Sequence, residues 1–447
     1  MALNGYLFLS FRAASAPSLS LALPVFSSGL SHRASLQEGR LISSRYDDTL
    51  LKTAQDESVA LPVWMTEYLT WHAQERAHLN QTNWRQGRYL VVRCLQTDVP
   101  CGGLADRLRH VPMAIWIAAQ THRVLFIHWE LPAPLQEFLV PPVQHATAGY
   151  SLDWRIPDWL LERFEFQSKP LMTGIQHLPS LLNATDTILA DMRLQSYKQA
   201  SVYYNQHVVG GITSNTTTAT ATTTTTTAIA QPDFDAILRP VWNLLFHPSP
   251  AVAALLQQHM EQLHLETGRY AAAHTRALYH TNVTGLALQS TVENAVNCAA
   301  QIFAAPSSSS SGGGGGDPAD PTPLILMASD SLAAYQLAVH YGRGKVVSPM
   351  NLAATTTAVP LHLDRGADYL LSHPIHKSAV AAANHNATAY LSVFVDLYLL
   401  ANSRCVTFDR GGFGRLGSLL STNASCFLRH QTNRCHSLFP TLTPSKY

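Results

Sequence analysis

Residues 89–129 read YLVVRCLQTDVPCGGLADRLRHVPMAIWIAAQTHRVLFIHW. The apolar run Tyr89–Cys94 has strand character. Gly102 and Gly103 follow, with Asp106, Arg107 and Arg109 just beyond. Leu108, Val111, Ile115, Ala118 and Ala119 then recur near the helical period, which predicts a helix over Asp106–Thr121. Val124–His128 reads as a second strand. A strand, a helix and a strand in this order predict a βαβ crossover and a parallel sheet. A glycine turn between strand and helix points bare N–H groups at whatever lies above it, so it is either a wall of a site or a plain loop.

The same alternation returns after Pro232. Helices are expected over Trp242–Leu245 and Ala251–Leu263, on either side of His247-Pro248-Ser249-Pro250. RYAAAHTRALYH (269–280) reads as a strand running into a turn, and Thr291–Ala304 as a helix. Strand Leu324–Ala328, helix Leu332–Tyr341 and strand Lys345–Ser348 come next. The last unit is helix Ala389–Ala401, strand Cys405–Phe408, the turn DRGGFG (409–414) and helix Arg415–Leu420. Two such α/β sets suggest two facing Rossmann-like domains with the site in the cleft between them.

The tracts TSNTTTATATTTTTT (213–227) and PSSSSSGGGGG (306–316) cannot bury a core. The first reads as a linker near a domain boundary and the second as an expanded surface loop. The expected division is a targeting or stem segment at 1–60, one domain at 61–230 and another at 231–447. Residues 1–37 hold no acid, several serines, Arg12 and Arg33, which fits a signal anchor, a transit peptide or a misplaced start.

With 46% apolar and 13% charged residues the composition is globular. Thirty basic residues balance 29 acidic ones, which argues against a nucleic-acid partner or a polybasic membrane patch. The 21 histidines are scattered, with neither HExxH nor CxxC, so zinc has little support. Six cysteines allow fifteen pairings, which the sequence leaves open. N-x-[ST] sequons at Asn80, Asn183, Asn215, Asn282, Asn386 and Asn423 favour the secretory route.

Three groups carry candidate chemistry. His274 and Arg276, at i and i+2, share one face of their strand near its carboxyl end, where open α/β sheets bind ligands. The arginine fork suits a diphosphate. The alternative is a surface arginine beside a half-buried histidine. The segment Arg410-Gly411-Gly412-Phe413-Gly414-Arg415 pairs a glycine turn with a helix N-terminus, a phosphate cradle or simply a structural turn. Asp396 lies inside the apolar LSVFVDLYLL (391–400), where a carboxylate is costly unless it is paired, meets a polar ligand or faces solvent. Asp330, in MASDS (327–331), suits either a ribose or base contact or a helix cap.

Taken in order, these blocks resemble the fucosyltransferase-like superfamily, the group of α-1,6-, nodulation-type and protein O-fucosyltransferases. CGGLADRLRHVPMAIWIAAQTHRVLFIHW (101–129) is similar to its GGLGDRLRG opening block, and YAAAHTRALY to its VGVHIRTG motif. LILMASDS with KVVSP, VFVDLYLLANSRCVTFDRGGFGRLGSLLS and LFHPSPAV resemble further blocks of the same group. The resemblance implies a GT-B-like pair of domains and inverting transfer from GDP-fucose, with no metal or other cofactor.

By that likeness Arg276 holds the donor diphosphate, His274 lies beside the donor, Asp396 recognises guanine and the 409–414 turn lies against the diphosphate. Gly102, Gly103, Asp106 and Arg107 form a first-domain turn facing the cleft. Asp98, Asp106 and Glu130 are acceptor-base candidates by position alone. Ala105 and Gly411 stand where the family pattern has glycine and serine, and Thr275 where it has isoleucine. These departures keep a second reading open, a non-catalytic carbohydrate- or nucleotide-binding module. An NAD(P) enzyme would need a GxGxxG after the first strand, which is missing. The implied partners are a nucleotide sugar and a glycan or protein acceptor, with membrane attachment through the N-terminal segment and residence in the Golgi.

Overall fold

The computed structural model describes residues 61–95, 101–142, 152–164, 188–190, 197–209, 232–277, 285–304, 323–342, 344–349, 386–424, 426–431 and 434–437. The 1–60 segment, both low-complexity inserts, Asp98 and the sequons at Asn183, Asn215 and Asn282 lie outside them.

Helix α1 (Val63–His78) leads to β1 (Tyr89–Cys94), whose six residues are all buried. This is the continuous apolar run of a strand covered on both faces. β2 (Val124–Trp129) lies parallel to β1 in the register Tyr89↔Val124 to Cys94↔Trp129, as the βαβ reading expects. The connection differs from the single helix expected over Asp106–Thr121. It consists of α2 (Leu104–Leu108) and α3 (Val111–Gln120), broken at Arg109-His110. Pro112 explains the break: it has no N–H to donate, and in one continuous helix its ring would clash with the carbonyl of Leu108, four residues back.

β3 (Leu139–Val140) pairs with β5 (His247–Pro248) in a short antiparallel ribbon. β4 (Ile188–Ala190) lies parallel to β1 on the side away from β2, giving the order β2-β1-β4. α4 (Phe234–Leu245) is longer than expected because Asp233 caps it, its Oδ1 accepting from Ala236 N at 2.8 Å. Ser249 then caps α5 (Pro250–Gln262), with Pro250 at the first position.

The second sheet runs β11-β10-β9-β6-β7-β8. Its central strand β6 (Ala271–Thr275) is flanked in parallel by β7 (Ile325–Ser329) and β9 (Cys405–Phe408). β8 (Val346–Val347) extends one side. On the other, β10 (Phe427–Gln431) runs parallel to β9 and carries β11 (Arg434–Ser437) antiparallel at the edge.

α6 (Gly285–Ala304) and α7 (Leu332–Gly342) supply Val292, Ala295 and Ala338 to a core under Ala271 and Ala273. α8 (Ala387–Ala401) and α9 (Gly412–Leu420) cover the opposite face, that of Ala272. The core on that side continues without a break into the first sheet, through Leu90, Val92, Ile115, Leu245, Phe394 and Leu416. Phe138 stacks on Phe394 at 4.4 Å between ring centroids, tying α8 to the first half of the chain. Of the fifteen possible cysteine pairings the structure takes Cys94–Cys101, Cys298–Cys435 and Cys405–Cys426. Among the described residues, no helix is long and apolar enough to cross a membrane.

Candidate functional site

Strand order in the second sheet reverses at β6. β7 and β8 build outward on one side, β9 and β10 on the other. The crevice outside the carboxyl ends of such neighbouring strands is where open α/β sheets place ligands. His274 and Arg276 stand at the end of β6, and the turn beginning at Asp409 stands at the end of β9.

Gly411 is the pivot. Its φ of 90° and ψ of 166° belong to a region that essentially only glycine occupies. This sharp bend lets α9 begin at Gly412, so Gly412, Phe413 and Gly414 form the first helical turn instead of a loop before Arg415. Side chains fill the spaces the glycines leave. A Cβ on Gly411 would lie 2.6 Å from Arg276 Nη1, and one on Gly414 would lie 2.7 Å from His274 Nδ1. A Cβ on Gly412 would meet Arg109 Nη2 at 2.8 Å and Ala105 Cβ at 2.9 Å. Two arginines and a histidine, from the end of β6 and from the residue after α2, thus close on one helix N-terminus.

Asp409 fixes the geometry beneath them. Its carboxylate accepts from the Arg276 N–H at 3.2 and 3.3 Å, joining the ends of β6 and β9. Burial pushes that carboxyl up from its ordinary range, while the N–H groups of Arg410 and Arg276 pull the other way. Asp330 does the matching task from β7, accepting from Ala277 N at 2.8 Å. Ser331, rather than Asp330, is the side chain that accepts from Ala334 N at the start of α7.

His274 is buried. Desolvation, followed by the nearby Arg276 and His430, lowers its pKa to about 3, so the ring is neutral. Its Nδ1 has no hydrogen-bond partner among the described residues, nor has either ring nitrogen of buried His430. Phe413 lies 5.4 Å from the His274 ring. Asp396, half-buried on α8, is pushed up to about 7 by desolvation. Its charge and that of Asp330 both act on the buried Tyr335 hydroxyl, whose pKa rises well above 10 chiefly through burial. Both carboxylates thus act on Tyr335, and Asp330 also acts on Asp409 beneath the arginine cluster.

The residues expected to act together are thus distributed. The structure gathers His274, Arg276, Gly411, Gly412, Phe413 and Gly414. Arg410 is exposed beside them. Arg415 turns instead to an ion pair with Asp235 on α4.

The first turn departs further from expectation. Arg107 donates to the carbonyls of Gly102 at 2.8 Å and Leu131 at 2.6 Å, and its guanidinium lies 4.8 Å from the Trp129 ring centroid. Asp106 accepts from Gly103 N at 3.2 Å as a helix cap. The arginine that reaches the α9 glycines is Arg109, whose pKa falls to about 10 mainly through burial and which stays charged at neutral pH. The sequence reading places Arg109 beside the first turn and Asp409 within the second, neither with a role of its own, and does not single out His430. Asp409 carried a signal, standing directly before the glycine turn; His430 carried none.

The described residues define an α/β protein of parallel sheets, with two buried arginines and a buried histidine gathered at a strand switch point. Solved structures similar to it are fucosyltransferases. NodZ alpha-1,6-fucosyltransferase co-crystallised with GDP matches at 15% identity, over 78% of this chain and 97% of that one, with a TM-score of 0.41. NodZ from Bradyrhizobium matches at 16% identity over 78% and 97%, with a TM-score of 0.38. A mutant of Arabidopsis thaliana FUT1 in complex with GDP matches at 11% identity over 83% and 80%, with a TM-score of 0.45. No family model matches the chain, and neither does any curated protein.

Proposed function

We propose that the chain is a glycosyltransferase that moves fucose from GDP-fucose to a hydroxyl of a glycan or protein, with inversion at the anomeric carbon. The observation that carries this reading is the Arg276 guanidinium packed on Gly411 at the β6/β9 switch point. The ordered sequence blocks that resemble the fucosyltransferase-like superfamily supply the donor. On this reading residues 61–230 serve the acceptor and 231–447 the nucleotide sugar.

The acceptor oxygen attacks the anomeric carbon while GDP leaves, and negative charge gathers on the departing phosphate. Arg276, Arg109 and the N–H groups opening α9 meet that charge in a buried setting, where preorganised donors act most strongly. Neutral His274 offers a ring nitrogen for hydrogen bonding and adds no charge. Asp396, ionised, suits the N–H donors of a purine edge. Three disulfides fit an oxidising compartment, and we place the protein on the secretory route, in the Golgi.

The test is GDP release from GDP-fucose in the presence of a glycan mixture. Arg276→Ala is expected to lower kcat/KM by about 2–4 kcal/mol of transition-state stabilisation, the loss typical of one preorganised donor. Near-normal turnover in that variant rejects the assignment.

A second reading, a binding module without turnover, draws on the methyl of Ala105, which faces Gly412 where the family pattern has a glycine. Tight GDP-fucose binding with no GDP release, with or without acceptor, selects it.

A further inference from the structure

We propose that His128 is the base that activates the acceptor hydroxyl and that Glu130 positions it; this rests on the transferase reading above. His128 Nε2 lies 3.7 Å from Glu130 Oε1. The two side chains are 13% and 39% exposed, buried enough to be held and open enough to be reached. Both stand at the carboxyl end of β2. His128 is opposite Arg93 in the β1–β2 register, and the Glu130 N–H donates to Cys94 O at 2.8 Å, which extends the pairing to the strand's last residue.

The first sheet has its own switch point at β1, with β2 on one side and β4 on the other. The pair stands at the carboxyl end of β2, the strand beside that switch point, as Asp330 and Asp409 stand at the ends of β7 and β9 beside the second one. α2 touches both the end of β2 and the start of α9. That helix follows β1, and its Ala105, with Arg109 just beyond it, meets Gly412 at the start of α9, which follows β9. Arg107 on the same helix bonds to Leu131 O and covers Trp129, the neighbours of Glu130. α2 has five residues, a span of about 7.5 Å, so one short helix links the end of β2 to the glycine turn.

Burial, with a smaller contribution from Arg93, lowers the His128 pKa, and Glu130 opposes that fall. The imidazole is therefore neutral and able to accept a proton. A base held by a third group is the usual arrangement for activating a hydroxyl. The rival carboxylate Asp106 is engaged with Gly103 N–H and lies near Arg109.

The step balances. The acceptor O–H proton passes to a ring nitrogen of His128 as the oxygen bonds to the anomeric carbon. The bond from that carbon to the β-phosphate oxygen breaks, and its electron pair leaves with GDP. The imidazolium, beside the Glu130 carboxylate, then returns its proton to solvent.

The experiment uses the whole chain, GDP-fucose and a panel of oligosaccharides, and also follows slow GDP release to water. His128→Gln is expected to lower kcat by about 10²–10⁴-fold, the usual worth of a positioned base, with GDP affinity unchanged. Glu130→Gln is expected to lower kcat about tenfold and to move the acidic limb of the pH–rate profile to lower pH, because the group that raises the His128 pKa is gone. His128→Gln turning over within threefold of wild type, or an acidic limb unmoved in Glu130→Gln, overturns this inference and leaves the transferase reading standing. Wild-type protein that binds GDP-fucose but never releases GDP, to acceptor or to water, overturns both.

Discussion

The chain makes two turns of the same design, and they do different things. Cys101–Arg109 and Asp409–Arg415 each leave the carboxyl end of a parallel strand, bend at a glycine of positive φ, open a helix and carry arginines. The first closes on itself. Asp106 caps its own helix, Arg107 binds the carbonyl of Gly102, and the Cys94–Cys101 disulfide ties the turn to its strand. The second leaves the places beside its glycines to side chains from elsewhere, Arg276 and His274 from β6 and Arg109 from beyond α2. Which side chains approach a glycine-rich turn is therefore not stated by its own sequence.

The largest separation between the two turns is expected at their pivots. Gly411→Ala puts a methyl into glycine-only backbone space, 2.6 Å from Arg276 Nη1. GDP binding is expected to fall at least a hundredfold, read by calorimetry, because the guanidinium must move. Gly102→Ala, at a φ of 78°, meets the Cβ of Asp106 at 2.9 Å instead. It is expected to lower Tm and leave GDP affinity within threefold. If Gly102→Ala weakens GDP binding as much as Gly411→Ala, the division into scaffold and site fails.

A smaller contrast lies within one helix segment. Arg107 and Arg109 are two residues apart and both buried, but only Arg109 reaches the α9 glycines. Arg109→Ala is expected to weaken GDP binding about tenfold, in the range of one charge-assisted hydrogen bond. Arg107→Ala is expected to lower Tm by several degrees through the loss of two hydrogen bonds and the Trp129 contact, with GDP affinity retained. The reverse result would exchange the two assignments.

The order of strands and helices was readable because long apolar runs and helical periods survive in the sequence: β1, β2, β9, α8 and the β6–β7 pair stand close to where the residues put them. Their precise joints were not. Pro112 splits a helix whose apolar spacing runs straight through it, and Gly411 begins α9 three residues early. The β10–β11 hairpin and β4 are short, and tertiary pairing rather than local pattern makes them strands. Same-strand spacing put His274 and Arg276 on one face, and both lie beside the glycine turn. What the local pattern did not give were the partners from distant segments, Arg109 from the first half of the chain and His430 from β10, and the reach of the turn's own Asp409 carboxylate across to β6.

The smallest effect concerns Asp106, one of the acceptor-base candidates by position. Its side chain is 57% exposed, its Oδ2 accepts from Gly103 N, and its Oδ1 lies 3.6 Å from Arg109 Nη2. With the carboxylate largely in solvent, an ion pair of that length to buried Arg109 contributes little, so the cap is its main task. Asp106→Ala is expected to cost about 1 kcal/mol of stability, the usual worth of a helix cap, seen as a Tm lower by a few degrees. Turnover per folded molecule is expected to stay within threefold of wild type. A loss of kcat beyond a hundredfold with Tm unchanged would make Asp106 the acceptor base, and the first turn, like the second, a wall of the site.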